Sequence, residues 1–325
     1  ALQRTVAEQL GEWEDAQAEL KRTEADVEVV DARIARDTER LQGSSSVKDV
    51  AALEQALAAL AKRKSDLEDI ELAVMELNDE KERALNDSRG ALAFVKEAGK
   101  APIKIGFSAM AIPISRGEID YAEGLSKTLG MTPVEKQISP PPAPDYTPFA
   151  TKLKDANPNW MWSWAPWVAQ VRTFEAMRRL GWNGRYLTWA HLNAEDELAR
   201  LKDGEFYVIG TNAFFEDNLP IHAEIRAVTH RANLKHPITY LTEGFIAGMV
   251  VESVLKATPM PATPQKVLAA MNTLKVDLKG LRGGPLEWTK DNHFRTKQSY
   301  RVWKWDAQKG AVTRVQDWQA IDIKR

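Results

Sequence analysis

Asn157-Pro158-Asn159-Trp160-Met161-Trp162-Ser163-Trp164-Ala165-Pro166-Trp167 is the stretch on which the fold of this 325-residue chain turns. Asn157-Pro158 stops a helix, because proline disfavours the helical conformation in the residue before it. Trp160 to Trp164 then reads as a buried strand of five residues. Side chains alternate along a strand, so Trp160, Trp162 and Trp164 share one face. Trp160 and Trp162 are expected to be core against a helix. Trp164 and Trp167 come at the strand end beside Pro166, where an aromatic side chain can face a ligand. Val168 to Leu180 follows with helical spacing and closes at Gly181.

The same alternation extends both ways. Upstream, Ile103 to Phe107 is a strand. Ile114 to Leu129 is a helix with Ser115 as N-cap and Gly130 as stop, Val134 to Ile138 is a strand, and Phe149 to Ala156 is a helix. Downstream, Arg185 to Trp189 and Phe206 to Thr211 are strands, with a helix at Glu195 to Leu201 between them. Ile221 to Leu234, Leu241 to Lys256 and Gln265 to Thr273 are helices, and Tyr300 to Trp305 with Val312 to Trp318 forms a hairpin around Lys309-Gly310. Strands alternating with helices at this spacing predict an α/β fold with an open, mostly parallel sheet. Such sheets bind ligands outside the carboxyl ends of their strands. The segments to watch are therefore Ala109 to Arg116, Trp164 to Trp167, Ala190 to Asn193 and Asn212 to Asp217.

Residues 1–100 are different in kind. All 16 prolines lie at or beyond Pro102, and 10 of 11 tryptophans lie beyond residue 159. The first hundred residues hold 15 Lys and Arg against 23 Asp and Glu, and the remainder 29 against 23. Val6, Trp13, Leu20, Val27, Ile34 and Leu41 recur every seven residues. Leu2, Gln9, Ala16, Thr23, Val30 and Asp37 hold the companion positions, which makes a heptad seam. The pattern stops at Gly43-Ser44-Ser45-Ser46, where Ser46 and Asp49 form a weak capping box. A second run follows through Leu53, Leu57, Leu60, Leu67, Val74, Leu77 and Leu85, with Lys64 and Lys81 on or beside its seam. Two long helices joined by a short loop predict an antiparallel coiled-coil hairpin preceding the α/β region. Its charged outer faces serve solubility and helix pairing, or the docking of a coiled-coil protein partner.

The chemistry-bearing residues form no catalytic set. His191, His222, His230, His236 and His293 make no H-E-x-x-H motif and no pair with evident metal spacing. Neither a phosphate-binding G-x-x-x-x-G-K-[ST] loop nor a G-x-S-x-G elbow occurs. Glu216 and Asp217 are neighbours in sequence, which does not make an acid/base pair. The chain has no cysteine, which removes disulfides, thiolate metal sites and a Cys nucleophile. A net charge of -2 argues against nucleic acid as a partner. No transmembrane stretch and no signal peptide is visible in the sequence. No enzyme activity, cofactor or metal is expected. Aromatic walls with a few polar groups suit small organic ligands.

Two resemblances follow from these residues. Ala32 to Glu80, with Ala35-Arg-Asp-Thr-Glu-Arg-Leu41 and Ala61-Lys-Arg-Lys-Ser-Asp-Leu-Glu-Asp69, is similar to the coiled-coil hairpin of bacterial, especially actinobacterial, zinc-ribbon coiled-coil proteins. Those carry a four-cysteine ribbon, which a chain without cysteine cannot build. Residues 101–325 resemble a type I periplasmic substrate-binding protein of the branched-chain amino-acid ABC-transporter kind. The order of features carries the match. It runs through a Lys-Ile-Gly strand, Ser115-Arg116-Gly117, a helix ending Leu-Gly, Asp145-Tyr-Thr-Pro-Phe149 and Asn157-Pro-Asn-Trp160. Phe174 to Gly181, the tyrosine-containing Tyr240 to Gly248, Gly284-Pro-Leu286 and the closing strand Tyr300 to Trp305 complete it.

The second resemblance implies two α/β lobes closing on a solute. Residues 99–225 and 295–325 would form lobe two, and residues 226–294 a remnant of lobe one, after a hairpin over 1–98. The coiled coil stands where the opening part of lobe one is expected, so enclosure of a solute would be reduced. Phe245, Ile246 and Val250 would then need another partner, either the coiled coil or a second copy. The expected function is non-catalytic binding of an amino-acid-like or aromatic carboxylate solute for an ABC-type uptake system, with a transporter permease as partner. By resemblance the location is periplasmic or extracellular. The candidate ligand-binding residues are Ser115, Arg116, Trp164, Trp167, Trp189, His191, Phe214 and Tyr240. The alternatives are a coiled-coil scaffold, or an artificial fusion without solute function.

Overall fold

The computed structural model describes residues 2–44, 46–100, 102–190, 194–235, 239–288 and 297–322. The chain divides into two compact units, Ala1–Ala84 and Leu85–Arg325.

The first unit holds helix α1 (Leu2–Gly43) and the long helix α2 (Val47–Ala98) as far as Ala84. Along α1 the seam residues Leu20, Thr23, Val27, Val30, Ile34, Asp37 and Leu41 are buried or half-buried while most of their neighbours are exposed. Along α2 the same holds for Val50, Leu53, Leu57, Leu60, Lys64, Leu67, Glu71 and Val74. The Lys64 Nζ lies 2.5 Å from Asp31 Oδ1 and ties the helices together across the seam. That bond holds the Lys64 ammonium above its ordinary pKa. Ser46 Oγ accepts from the Asp49 amide at 3.4 Å and caps α2.

The second unit is built on a seven-stranded sheet in the order β2-β1-β3-β4-β5-β8-β9. Strands β1 (Lys104–Met110), β2 (Thr132–Ser139), β3 (Trp160–Trp164), β4 (Arg185–Trp189) and β5 (Phe206–Gly210) run parallel. The hairpin β8 (Lys297–Asp306) and β9 (Ala311–Asp322) extends the sheet antiparallel to β5. Helix α4 (Thr147–Asp155), α5 (Trp167–Arg179) and α6 (Ala194–Leu201) supply Leu153, Phe174 and Leu198 to the core on one face, around Met161, Tyr186 and Phe206. On the other face α3 (Pro113–Thr128) and the last turns of α2 cover Ile105, Phe107, Trp160 and Trp162. Trp160 and Trp162 are thus core against helices, as the alternation predicts.

From Asp87 on, α2 no longer buries a narrow seam. Asp87, Ser88, Gly90, Ala91, Leu92, Phe94 and Val95 are all buried, a face wide enough to lie on a sheet. Gly90 is needed there, because a Cβ would sit 2.9 Å from the Tyr300 ring.

A third apolar cluster holds helices α7 (Pro220–Arg231), α8 (Thr239–Ala257) and α9 (Pro264–Met271) with the short ladder of β6 (Lys275–Val276) and β7 (Leu286–Glu287). This cluster corrects one expectation. Ile246 is buried here, and Phe245 and Val250 pack against Ile221, Ile225, Leu278 and their neighbours within the same cluster. The helices and the ladder close on one another, so these three side chains find their partners locally. Among the described residues, the exposed large apolar side chains of α8 are Val251 and Leu255.

Candidate functional site

The carboxyl ends of β1, β3, β4 and β5 lie side by side because the strands are parallel and adjacent. Ser115 sits among them. Its hydroxyl donates to the Trp164 carbonyl and accepts from the Met110 amide at 2.9 Å. This corrects its expected role as an N-cap. Pro113 opens α3 behind Ile112, so Ser115 lies inside the first turn and fastens that turn across the ends of β1 and β3.

Asp87 is the centre of the arrangement. One carboxylate oxygen accepts the Trp164 indole Nε1–H at 3.1 Å. The other faces the Gln298 amide and the Tyr300 hydroxyl, each at 3.4 Å. Trp189 meets the Tyr300 ring edge-on at 5.9 Å. Its carbonyl accepts from Gln170 at 3.0 Å. The structure therefore brings Ser115, Trp164 and Trp189 into one network. Arg116 is exposed one residue beyond Ser115.

The other candidates lie apart. Phe214 packs on the opposite face, stacked on Trp303 with ring centroids 4.0 Å apart. Tyr240 is half-buried on α8. The Trp167 side chain and His191 lie outside the described residues.

Sequence reasoning missed Asp87, Ser88 and Glu118. Glu118 is fully buried on α3 and accepts a hydrogen bond from the Ser88 hydroxyl. Burial first, and then the charge of Asp87, push its carboxyl well above the ordinary range, while the Ser88 bond opposes them. A second acidic group behaves alike: burial pushes the Glu195 carboxyl up to about 7.

A cavity of about 250 Å³ opens where the chain leaves β5 and enters β8, lined by Thr211, Arg282, Gly284, Glu287, Lys297 and Ser299 among others. None of the expected ligand-binding residues lines it. Beside it Arg282 Nε bonds Asn212 Oδ1 at 2.9 Å, and its Nη2 bonds both Glu243 oxygens at 2.9 and 3.1 Å. That cluster fastens the end of β5 to α8.

Among the described residues no group of three His, Asp or Glu is placed to hold a metal ion. No helix among them is long and apolar enough to cross a membrane.

Residues 1–102 match the sequence model of the CT398-like coiled coil hairpin domain. Residues 86–311 match that of the periplasmic binding protein family. No curated protein matches the chain. Among solved structures, a branched chain amino acid ABC transporter protein from Thermus thermophilus with bound valine is similar. It is 16% identical with a TM-score of 0.61, the match covering 73% of this chain and 65% of that one. A substrate binding protein of an ABC transporter from Aeropyrum pernix is 14% identical with the same TM-score and coverage. A solute binding protein from R. palustris in complex with benzoate is 13% identical with a TM-score of 0.59, covering 74% and 64%. The chain thus spans just under two thirds of the length of these structures. At such identities they show the fold, and the match over 86–311 supplies the rest: the chain belongs to the periplasmic binding protein family.

Proposed function

We propose that the chain is a non-catalytic solute-binding protein whose site lies at the carboxyl ends of β1, β3 and β4. The observation that carries this reading is the gathering of Ser115, Trp164 and Trp189 around Asp87, with Arg116 exposed beside them. The solute is a small amino-acid-like or aromatic carboxylate. Arg116 supplies the cation for its carboxylate, and the indoles of Trp164 and Trp189 supply apolar surface. Proteins similar in fold were solved with valine and with benzoate, two such carboxylates. A transporter permease as partner and a place outside the cytoplasmic membrane go with this reading. A thermal-shift screen of amino acids, benzoates and short carboxylates tests it. A solute at a hundred times its Kd stabilises by about 2.7 kcal/mol. Arg116→Ala, an exposed change that spares the core, abolishes the shift. No stabilisation by any compound at millimolar concentration sinks the reading.

The match over residues 1–102 and the seam along α1 and α2 favour a second role, docking of a helical partner by the hairpin. Pull-down with the full chain tests it, and a seam-disrupting variant that captures the same protein rejects it.

A further inference from the structure

Four consecutive residues near the end of α2 between them reach β3, α3 and β8. Asp87 accepts the Trp164 indole N–H at 3.1 Å, at the end of β3. The Ser88 hydroxyl donates to the Glu118 carboxyl, and Arg89 Nε donates to the Tyr121 hydroxyl at 3.0 Å. Both partners lie on α3, the helix whose first turn carries Ser115 and Arg116. Gly90 leaves room for the Tyr300 ring, which a Cβ would approach to 2.9 Å. Tyr300 in turn meets Trp189 edge-on at the end of β4.

This stretch of α2 is itself firmly seated. Leu92 and Val95 are wholly buried. Phe94 meets Trp160 edge-on at 6.0 Å and Tyr207 at 5.8 Å. The Ala98 carbonyl accepts from Arg185 at 2.9 Å, at the start of β4. A binding group is held in place only as well as the groups behind it allow. Asp87, Ser88 and Gly90 are buried, so they act on a solute through the half-buried Trp164 and Trp189 and the exposed Arg116.

We propose that Asp87–Gly90 is the positioning element of the solute site, and that Asp87 is the residue that sets the Trp164 indole for contact with the solute. This rests on the reading of the chain as a solute-binding protein. An indole N–H deprived of its acceptor would turn toward another, because a donor shut away from water without a partner is costly. With Asp87 in place the ring keeps one orientation. The other Asp87 oxygen faces Gln298 and Tyr300, so one side chain ties the end of β3 to β8. Both indoles of the site thus lean on one helix, Trp164 through Asp87 and Trp189 through the Tyr300 ring seated on Gly90.

Fluorine NMR of the full chain carrying fluorotryptophan tests this, in titrations with the same amino acids, benzoates and short carboxylates. Trp164→Phe and Trp189→Phe identify the two lines. In the wild type a bound compound should move both. Asp87→Ala should displace the Trp164 line before any compound is added and weaken binding about ten-fold or more. Asp87→Asn, which keeps an acceptor for the indole, should preserve the line and the affinity. A role in stability alone would lower the Tm of Asp87→Ala and leave its Kd unchanged; that result overturns the proposal while the solute reading stands. An Asp87→Asn variant as weak as Asp87→Ala overturns it too. If no compound moves a line in the wild type, the solute reading fails and the positioning role with it. Should Asp87→Ala not fold, Gly90→Ala decides. It keeps Asp87 but crowds the Tyr300 ring, so the Trp189 line should move and binding weaken, and unchanged binding rejects the proposal.

Discussion

The hairpin and the sheet body use the same helix, α2, in two ways. Between Val50 and Val74 it buries an edge two positions wide per heptad, and from Asp87 to Val95 it buries a broad face. The two-helix seam accepts polar side chains whose partners lie within the hairpin: the Thr23 hydroxyl donates to the Glu19 carbonyl, Asp37 pairs with Arg33 and Arg40, and Lys64 pairs with Asp31. A sheet covered on both faces has a dry interior, where Trp162, Trp303, Tyr186 and Tyr300 are almost wholly excluded from water. An acid in that interior, Glu118, has its carboxyl pushed well above the ordinary range by burial and then by the charge of Asp87. What decides the fate of a polar side chain is its desolvation and the partners around it, not the helix that carries it.

The largest test of this contrast is Trp162→Ala, which should cost roughly 3–5 kcal/mol. With 10 of 11 tryptophans beyond residue 159, fluorescence reads the sheet body and far-UV circular dichroism reads all helices. The fluorescence transition in guanidinium should move to lower denaturant while the hairpin's share of the helical signal holds. Equal displacement of both signals would erase the distinction between the regions.

Asp87→Asn probes the buried side more finely. Removing the Asp87 charge should lower the Glu118 pKa, yet leave it above the ordinary value, because burial is the larger cause. A carboxyl-carbon NMR titration reads this. The raised Glu118 pKa means that its contribution to stability is full below about pH 4.5 and lost as pH rises through the folded value. A Glu118 that titrates normally in the variant would make Asp87, rather than burial, the dominant cause. The smallest effect belongs to the hairpin: Lys64→Ala should change stability by less than about 1 kcal/mol, since the pair with Asp31 is half in solvent. A loss of several kcal/mol on thermal unfolding would mean that this seam is as dry as the sheet core.

The order of elements was legible in the sequence. The strand at Trp160, its flanking helices and the closing hairpin all stand where periodicity and turn residues place them, and the seam of α1 follows the heptads. The two-residue strands β6 and β7 were not legible, because two residues carry no period. Of the candidate site, the strand-end rule found Ser115, Trp164 and Trp189. It could not find Asp87, whose stretch reads as more coiled coil and whose partner Gln298 is 211 residues away.

Local pattern alone therefore determined the longer helices and strands, the hairpin and the parallel sheet, since these depend on period and turn chemistry within a few residues. Tertiary structure decided that the Glu118 carboxyl is raised above its ordinary range, that Ser115 fastens strands rather than caps a helix, and that Phe245, Ile246 and Val250 find partners in their own cluster. Each of those depends on desolvation by elements distant in sequence, and no window along the chain contains that quantity.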